Sequence, residues 1–147
     1  MVVWGGSGTH SFMLIFQNVK QLALLTPSSG RGSVIVLFND GTVHTQGDAD
    51  EAGGSVSTDY PAEVVNVQSI STTGLSYALL KQDGSVSTFG YPYSGGRGSI
   101  QGTAAPFLTS GVVSIHGNTY AFSALKDDAW HRKVRPLLLL RHPSSSF

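Results

Sequence analysis

The chain has no cysteine, and only 12% of its 147 residues are charged, about half the roughly 25% usual in soluble domains. Without cysteine there is no disulfide framework and no thiolate metal site, and the redox compartment leaves no trace. The low charge excludes a charged coiled coil and a solvated, highly charged disordered chain. No apolar stretch approaches the ~18 residues of a membrane span; the runs at 12–16 and 137–140 are short. The opening MVVWGGSGTH lacks a basic region followed by a long apolar one, which predicts no signal peptide and an intracellular chain. Helical periodicity is missing too: no twelve-residue segment sustains apolar spacing of three and four, so almost no helix is expected.

What the chain does have is glycine, 18 residues of it, well above the usual ~7%. Hydrophobic residues at 40% suffice for a packed core, and the length suits one domain. The net charge of zero joins two unlike parts. Residues 1–125 carry four bases against seven acids, and residues 126–147 carry five bases against two acids.

An internal repeat organises the first part. Asp40-Gly41 in VIVLFNDGTVHTQG and Asp83-Gly84 in SYALLKQDGSVSTFG lie 43 residues apart. Each pair follows an apolar run, precedes a short alternating segment, and leads to a glycine, Gly47 or Gly90. The opening Val2-Val3-Trp4-Gly5 reads as the tail of an earlier copy, 42 residues before Gly47. A second landmark recurs as Val19-x-x-Leu22, Val67-x-x-Ile70 and Val112-x-x-Ile115, and a third as Gly53-Gly54 and Gly95-Gly96. Asp-Gly between alternating runs is a strong hairpin signal, because glycine accepts the positive φ of a tight turn. Each copy therefore reads as β structure, and a period of 42–45 residues with several short strands suits a β-propeller blade. A single sandwich or a β-solenoid are the other all-β readings.

The strings ALLKQDGSVSTFG at 78–90, Gly95-Gly96, GVVSI at 111–115 and YAFSALK at 120–126 resemble the regulator of chromosome condensation repeat family. Trp4-Gly5 matches that family's Trp-Gly terminus, whereas Gln46 and Phe89 replace the tryptophan in the next two copies. The resemblance covers residues 1–128: a tail at 1–5, repeats at 6–47 and 48–90, and a partial repeat at 91–128. It implies antiparallel propeller blades in an incomplete ring, since members close about seven blades and this chain supplies about a third of that. Such repeats occur in the chromatin-associated exchange factor, in large ubiquitin ligases and in β-lactamase-inhibitor-type propellers, so they mark architecture better than activity. The resemblance implies a non-catalytic protein-interaction scaffold from a ubiquitin-ligase-associated or GTPase-exchange-type parent. The chain itself has no cysteine to carry a ubiquitin thioester. After Asp128 the repeat pattern breaks, with Ala129 where glycine belongs, and residues 129–147 read as a degenerate or disordered basic tail. Arg132, Lys133, Arg135 and Arg141 there admit a contact with nucleic acid or acidic lipid, but a disordered end accounts for both the lost motif and the changed composition.

The chemistry-bearing residues suggest no catalytic, cofactor or metal site. Asp48, Asp50 and Glu51 form the densest acidic cluster but lack the full calcium-loop spacing. His10, His44, His116, His131 and His142 show no ligand spacing. The glycine-rich stretches at 5–8, 29–33 and 95–99 lack the lysine and helix of a phosphate loop. Trp4, Gly5, Asp40, Gly41, Gly47, Gly53, Gly54, Asp83, Gly84, Phe89, Gly90, Gly95 and Gly96 define the repeat. Tyr91, Tyr93 and Phe107, in an inter-repeat loop, either contact a partner or cover the core. Protein partners are expected through such loops, with neither nucleic acid nor a membrane. Further blades of the parent or self-association would cover raw strand edges. The alternative is an enzymatic or small-molecule-binding propeller fragment, which would need His44, Asp48, Asp50 and Asp59 to converge on the axial face.

Overall fold

A computed structural model describes residues 2–7, 10–25, 32–47, 60–96 and 105–127. The chain runs through β1 (Val2–Ser7), β2 (His10–Ile15), β3 (Val19–Leu25), β4 (Ser33–Phe38), β5 (Val43–Gly47), β6 (Val67–Thr72), β7 (Ser76–Lys81), β8 (Val86–Gly90), β9 (Val112–Gly117) and β10 (Phe122–Lys126). Two single 3-10 turns, Pro92–Ser94 and Ala105–Phe107, are the only helical elements among the described residues. The fold is all-β. Its sheets are antiparallel: a β1–β2 hairpin, then β3–β4–β5 (unit 1), β6–β7–β8 (unit 2) and β9–β10 (unit 3). They form no closed ring among the described residues. Gly53, Gly54, Asp48, Asp50, Asp59 and the basic stretch 129–147 lie outside the described residues.

The units share one construction down to single residues. Each first strand begins with one bulged residue: Lys20, Gln68 and Val113 are skipped in the pairings Val19–Phe38/Gln21–Leu37, Val67–Lys81/Ser69–Leu80 and Val112–Lys126/Ser114–Leu125. An extra unpaired residue bends its strand and increases the local twist. Just before each bulged strand stands a left-handed residue, Asn18 (φ 56), Asn66 (φ 57) or Gly111 (φ 74), residue types that tolerate this region. Their carbonyls accept from Asn39, Gln82 and Asp127 N–H at 2.8, 2.9 and 2.7 Å, closing each unit's turn.

The Asp-Gly turns repeat equally closely. Asp40 Oδ1 accepts from Thr42 N–H at 2.9 Å and from its hydroxyl at 2.7 Å. Asp83 Oδ1 accepts the same pair from Ser85 at 2.9 and 2.6 Å. The turn glycine does two jobs. Gly84 has φ 78, and a Cβ there would stand 2.7 Å from Gly111 N, against the next unit. Its carbonyl accepts Val112 N–H at 2.9 Å, as the Gly41 carbonyl accepts Val67 N–H at 2.8 Å. Each turn thus fixes where the next unit starts.

Period-two alternation then sends alternate side chains of one strand into two different cores. In β7, Tyr77 and Leu79 pack with Leu25, Ile35, Leu37 and Val43 of unit 1, and with Phe89. Ala78 and Leu80, on the other face, pack with Val112 and Ile115 of unit 3. A sheet covered on both faces reads as a continuous apolar run, which is why YALL and VIVL have no polar interruption. Polar contacts align the inner strands: the Gln21 amide donates to the Ile70 carbonyl at 2.7 Å and accepts its N–H at 2.9 Å. The Ser71 hydroxyl donates to the Ile115 carbonyl at 2.7 Å. A side-chain hydrogen bond joins buried Tyr77 to Thr45 across units 1 and 2.

Leu80 and Leu125 occupy one repeat position at 1% and 62% exposure. Leu80→Ala should therefore destabilise by ~2–5 kcal/mol and Leu125→Ala by less than ~0.5 kcal/mol in urea unfolding of the full chain at concentrations dilute enough for a monomer. The turn carboxylates give an acid signature. Thr42 N–H and then its hydroxyl hold Asp40 below the usual carboxylate range, while at Asp83 the Ser85 hydroxyl comes first and its N–H second. A folded pKa below the unfolded one contributes stability above the unfolded value, and that contribution is lost as pH falls through the folded value. On acidification below about pH 4, the urea midpoint should fall further in the wild type than in the Asp40→Asn/Asp83→Asn variant.

Candidate interaction cleft

Unit 3 ends, among the described residues, at β10, so its second strand has no third strand beside it. The sequence after Asp128 does not carry the Gly-x-Val-x-x-aromatic-Gly pattern that forms strand three in unit 2. Between units 2 and 3 lies an open cleft of about 410 Å³, lined mainly by Ala78, Val86, Thr88, Leu108, Ile115, Phe122 and Ala124.

The repeat explains this cleft. The corresponding positions one unit earlier are Ile35, Val43, Thr45, Val64, Ile70, Tyr77 and Leu79, all buried and all but Thr45 in the closed core between units 1 and 2. That core is filled by Phe89 of β8, whose ring lies 5.6 Å from Tyr77 and 6.0 Å from Tyr60. The cleft therefore corresponds to the site of strand three and its aromatic ring, open in unit 3 among the described residues. Two of its wall residues are also smaller than their counterparts, Ala78 for Ile35 and Ala124 for Leu79, which deepens it.

Its rim is aromatic and held in place. Tyr93 is 85% and Tyr120 74% exposed, and both line the cleft. Tyr91 stacks at a tilt on Tyr93, 5.5 Å between centroids. The loop carrying them is anchored from below by two buried hydroxyl side chains: Ser76 donates to the Tyr91 carbonyl at 2.8 Å, and Thr73 to the Ser94 carbonyl at 2.9 Å. Gly95 ends the short Pro92–Ser94 turn at φ 86, and a Cβ there would meet the Phe122 ring at 2.6 Å, so glycine lets the rim close over that ring. Gly96 N–H donates back to the Tyr91 carbonyl at 3.0 Å. Across the cleft, the Asn118 side chain accepts from Tyr120 and Ala121 N–H, both at 2.8 Å.

Of the residues expected as an interface, Tyr93 lines the cleft, Tyr91 supports it, and Phe107 is exposed (64%) beside the lining Leu108, its carbonyl accepting from Lys126 Nζ at 2.6 Å. Asp40-Gly41 and Asp83-Gly84 sit at the β4–β5 and β7–β8 turns, Gly47 and Gly90 end β5 and β8, and Trp4-Gly5 lies in β1. Sequence reasoning missed Tyr120, Phe122 and Ala124, although aligning 122 and 124 with Tyr77 and Leu79 would have exposed the change in size. Of the four residues the axial-face alternative needs, only His44 is described, and its ring packs 5.7 Å from Phe16. No group of three or more His, Asp or Glu able to hold a metal occurs among the described residues. No helix among them is long and apolar enough to cross a membrane.

No protein-family model matches the chain, and a search of curated proteins found no match. The cleft's lining has no carboxylate, imidazole or lysine. It presents apolar walls, aromatic rims and a strand edge, the equipment for holding an extended apolar segment.

Ala124→Leu restores the side chain found at Leu79 and should fill the cleft. Fluorescence of an apolar dye such as ANS on the folded chain should fall, while the thermal midpoint stays the same or rises.

Proposed function

We propose that the chain is a non-catalytic protein-interaction scaffold, part of a propeller of the regulator of chromosome condensation type, which binds an extended segment of a protein in the cleft between units 2 and 3. The observation that carries this reading is the match between that cleft and the core filled by Phe89 one unit earlier. A segment entering there gains backbone hydrogen bonds along β10 and places one large ring between two apolar walls. Addition of a strand to a free edge gives affinity through the main chain and specificity through alternate side chains.

The family resemblance is supported by three units that repeat the same bulge, the same left-handed residue and, twice, the same Asp-Gly turn. Face-to-face packing of successive sheets also suits propeller blades. A parent linked to ubiquitin ligation or GTPase exchange belongs to the same proposal, with this chain as the adaptor rather than the catalyst.

A fluorescein-labelled peptide of residues 83–91, DGSVSTFGY, tests the reading by mimicking strand three. It should bind the full chain with anisotropy saturating, and its Phe→Ala version should bind about thirtyfold more weakly, the effect of losing a ~2 kcal/mol aromatic anchor. Equal binding of both peptides, or none at millimolar peptide, overturns it.

A further inference from the structure

Resting on that reading, we infer that the occupant of the cleft is β1 of a second copy of this chain, so that copies join head to tail and each supplies a third strand to its neighbour's β9–β10 pair.

β1 is hydrogen-bonded to β2 along one edge and, among the described residues, to no strand along the other. Its sequence Val3-Trp4-Gly5 corresponds to Thr88-Phe89-Gly90 of β8, the strand that fills the same site in unit 2. Carrying over the β7–β8 pairing, in which Tyr77 faces Phe89 and Ala78 faces Thr88, fixes a register. Trp4 of the second copy stands opposite Phe122, Val3 opposite Ser123 and Val2 opposite Ala124. β2 then remains outside β1 as a further strand.

Between units 1 and 2 the walls carry Ile35, Val64, Tyr77 and Leu79 around a phenylalanine. Between units 2 and 3 the same positions carry Ala78, Leu108, Phe122 and Ala124. Leu108 is larger than its counterpart, but the other three are smaller, and two of them are alanines, so the walls shrink on balance. Interiors keep close-packed density, so the walls that shrink call for a larger ring, and tryptophan is larger than phenylalanine.

At one end of the stack, the outer face of unit 1 is buried at Val34 and Val36 but exposes Leu22 and, at 55%, Leu24 on β3, whereas Ile70, at the repeat position of Leu22, is buried against unit 1. At the other end, unit 3 exposes Leu125, whereas Leu37 and Leu80, at the same position, are buried against the next unit. The outer faces are thus the two halves of an interface the chain already forms twice. Joining one end to the other is a heterologous contact that propagates or closes into a ring. The linkage β1–β2–β3 delivers both parts at once: β1 completes unit 3 of the neighbour, and β3 brings the exposed Leu22 and Leu24 of unit 1 against Leu125. Each copy then contributes two complete units and one composite unit.

The absence of cysteine makes the register directly testable in the full-length chain. A Val3→Cys chain and a size-tagged Ser123→Cys chain, mixed and oxidised, should give an intermolecular disulfide between the two species, since paired strands bring such residues within bridging distance. The Val3→Cys chain mixed with Val113→Cys should give at least tenfold less. Equal cross-linking at both positions, or none at Ser123, overturns the head-to-tail register. Light scattering should show a mass above the monomer for the wild type, shifted towards the monomer by at least tenfold in concentration for Trp4→Ala. The unlabelled peptide MVVWGGS should also displace labelled DGSVSTFGY from the Trp4→Ala chain. If DGSVSTFGY binds and MVVWGGS does not, the second copy is wrong while the interaction cleft stands. If neither binds, the cleft reading fails as well.

Discussion

The hydrogen bond from the first residue of one unit to the turn glycine of the unit before it sets everything else in this structure. Val67 N–H to the Gly41 carbonyl and Val112 N–H to the Gly84 carbonyl are the points where local hairpin chemistry becomes tertiary stacking. The turn needs glycine for its positive φ, and the next backbone comes so close that glycine is needed for space as well. Aspartate one residue earlier locks the turn through the Thr42 or Ser85 N–H and hydroxyl. With the start of each inner strand fixed, its register follows, because a slip of one residue would send the buried side chains of β4 or β7 to the wrong face.

That dependence explains what was legible in the sequence. The Asp-Gly pairs and the Val-x-x-Ile strands are visible because both are constrained at single-residue level by the contact between units. The all-β character follows from the same alternating runs. The bulges at Lys20, Gln68 and Val113 were not legible: nothing chemical unites a lysine, a glutamine and a valine, and the extra residue is demanded by the pairing geometry alone. Asn18, Asn66 and Gly111 were visible only in retrospect, since two residue types meet one backbone requirement. The anchors Thr73 and Ser76 resemble any loop-flanking hydroxyls until their partners, the carbonyls of Ser94 and Tyr91, are seen above them.

The cleft was hidden for a different reason. Pattern reading marks residues that are present, whereas the site consists of an edge of β10 that no third strand covers among the described residues, and of alanines where larger side chains stand one unit earlier. Tyr91, Tyr93 and Phe107 drew attention as aromatic loop residues, but Phe122 and Ala124 belong to a strand that reads as ordinary core. Only the comparison of unit 3 with unit 2, position by position, separates a wall from a filling. The lining residues, which match a hydrophobic core one unit earlier, contain no acid or base.

A stack of this kind distributes stability through neighbours, each interface adding its own term to the intrinsic term of each unit. Among the described residues, unit 2 is covered on both faces, while unit 3 is covered on one and has two strands, so it is the less supported of the two. A segment bound as proposed therefore does more than bind: it adds main-chain hydrogen bonds to β10 and covers an apolar wall that water otherwise wets. Binding and the ordering of unit 3 are then one equilibrium, and a ligand that favours the ordered state stabilises the chain by mass action. The weak end of the stack and the proposed binding surface are then the same place, because both follow from β10 having, among the described residues, no third strand beside it.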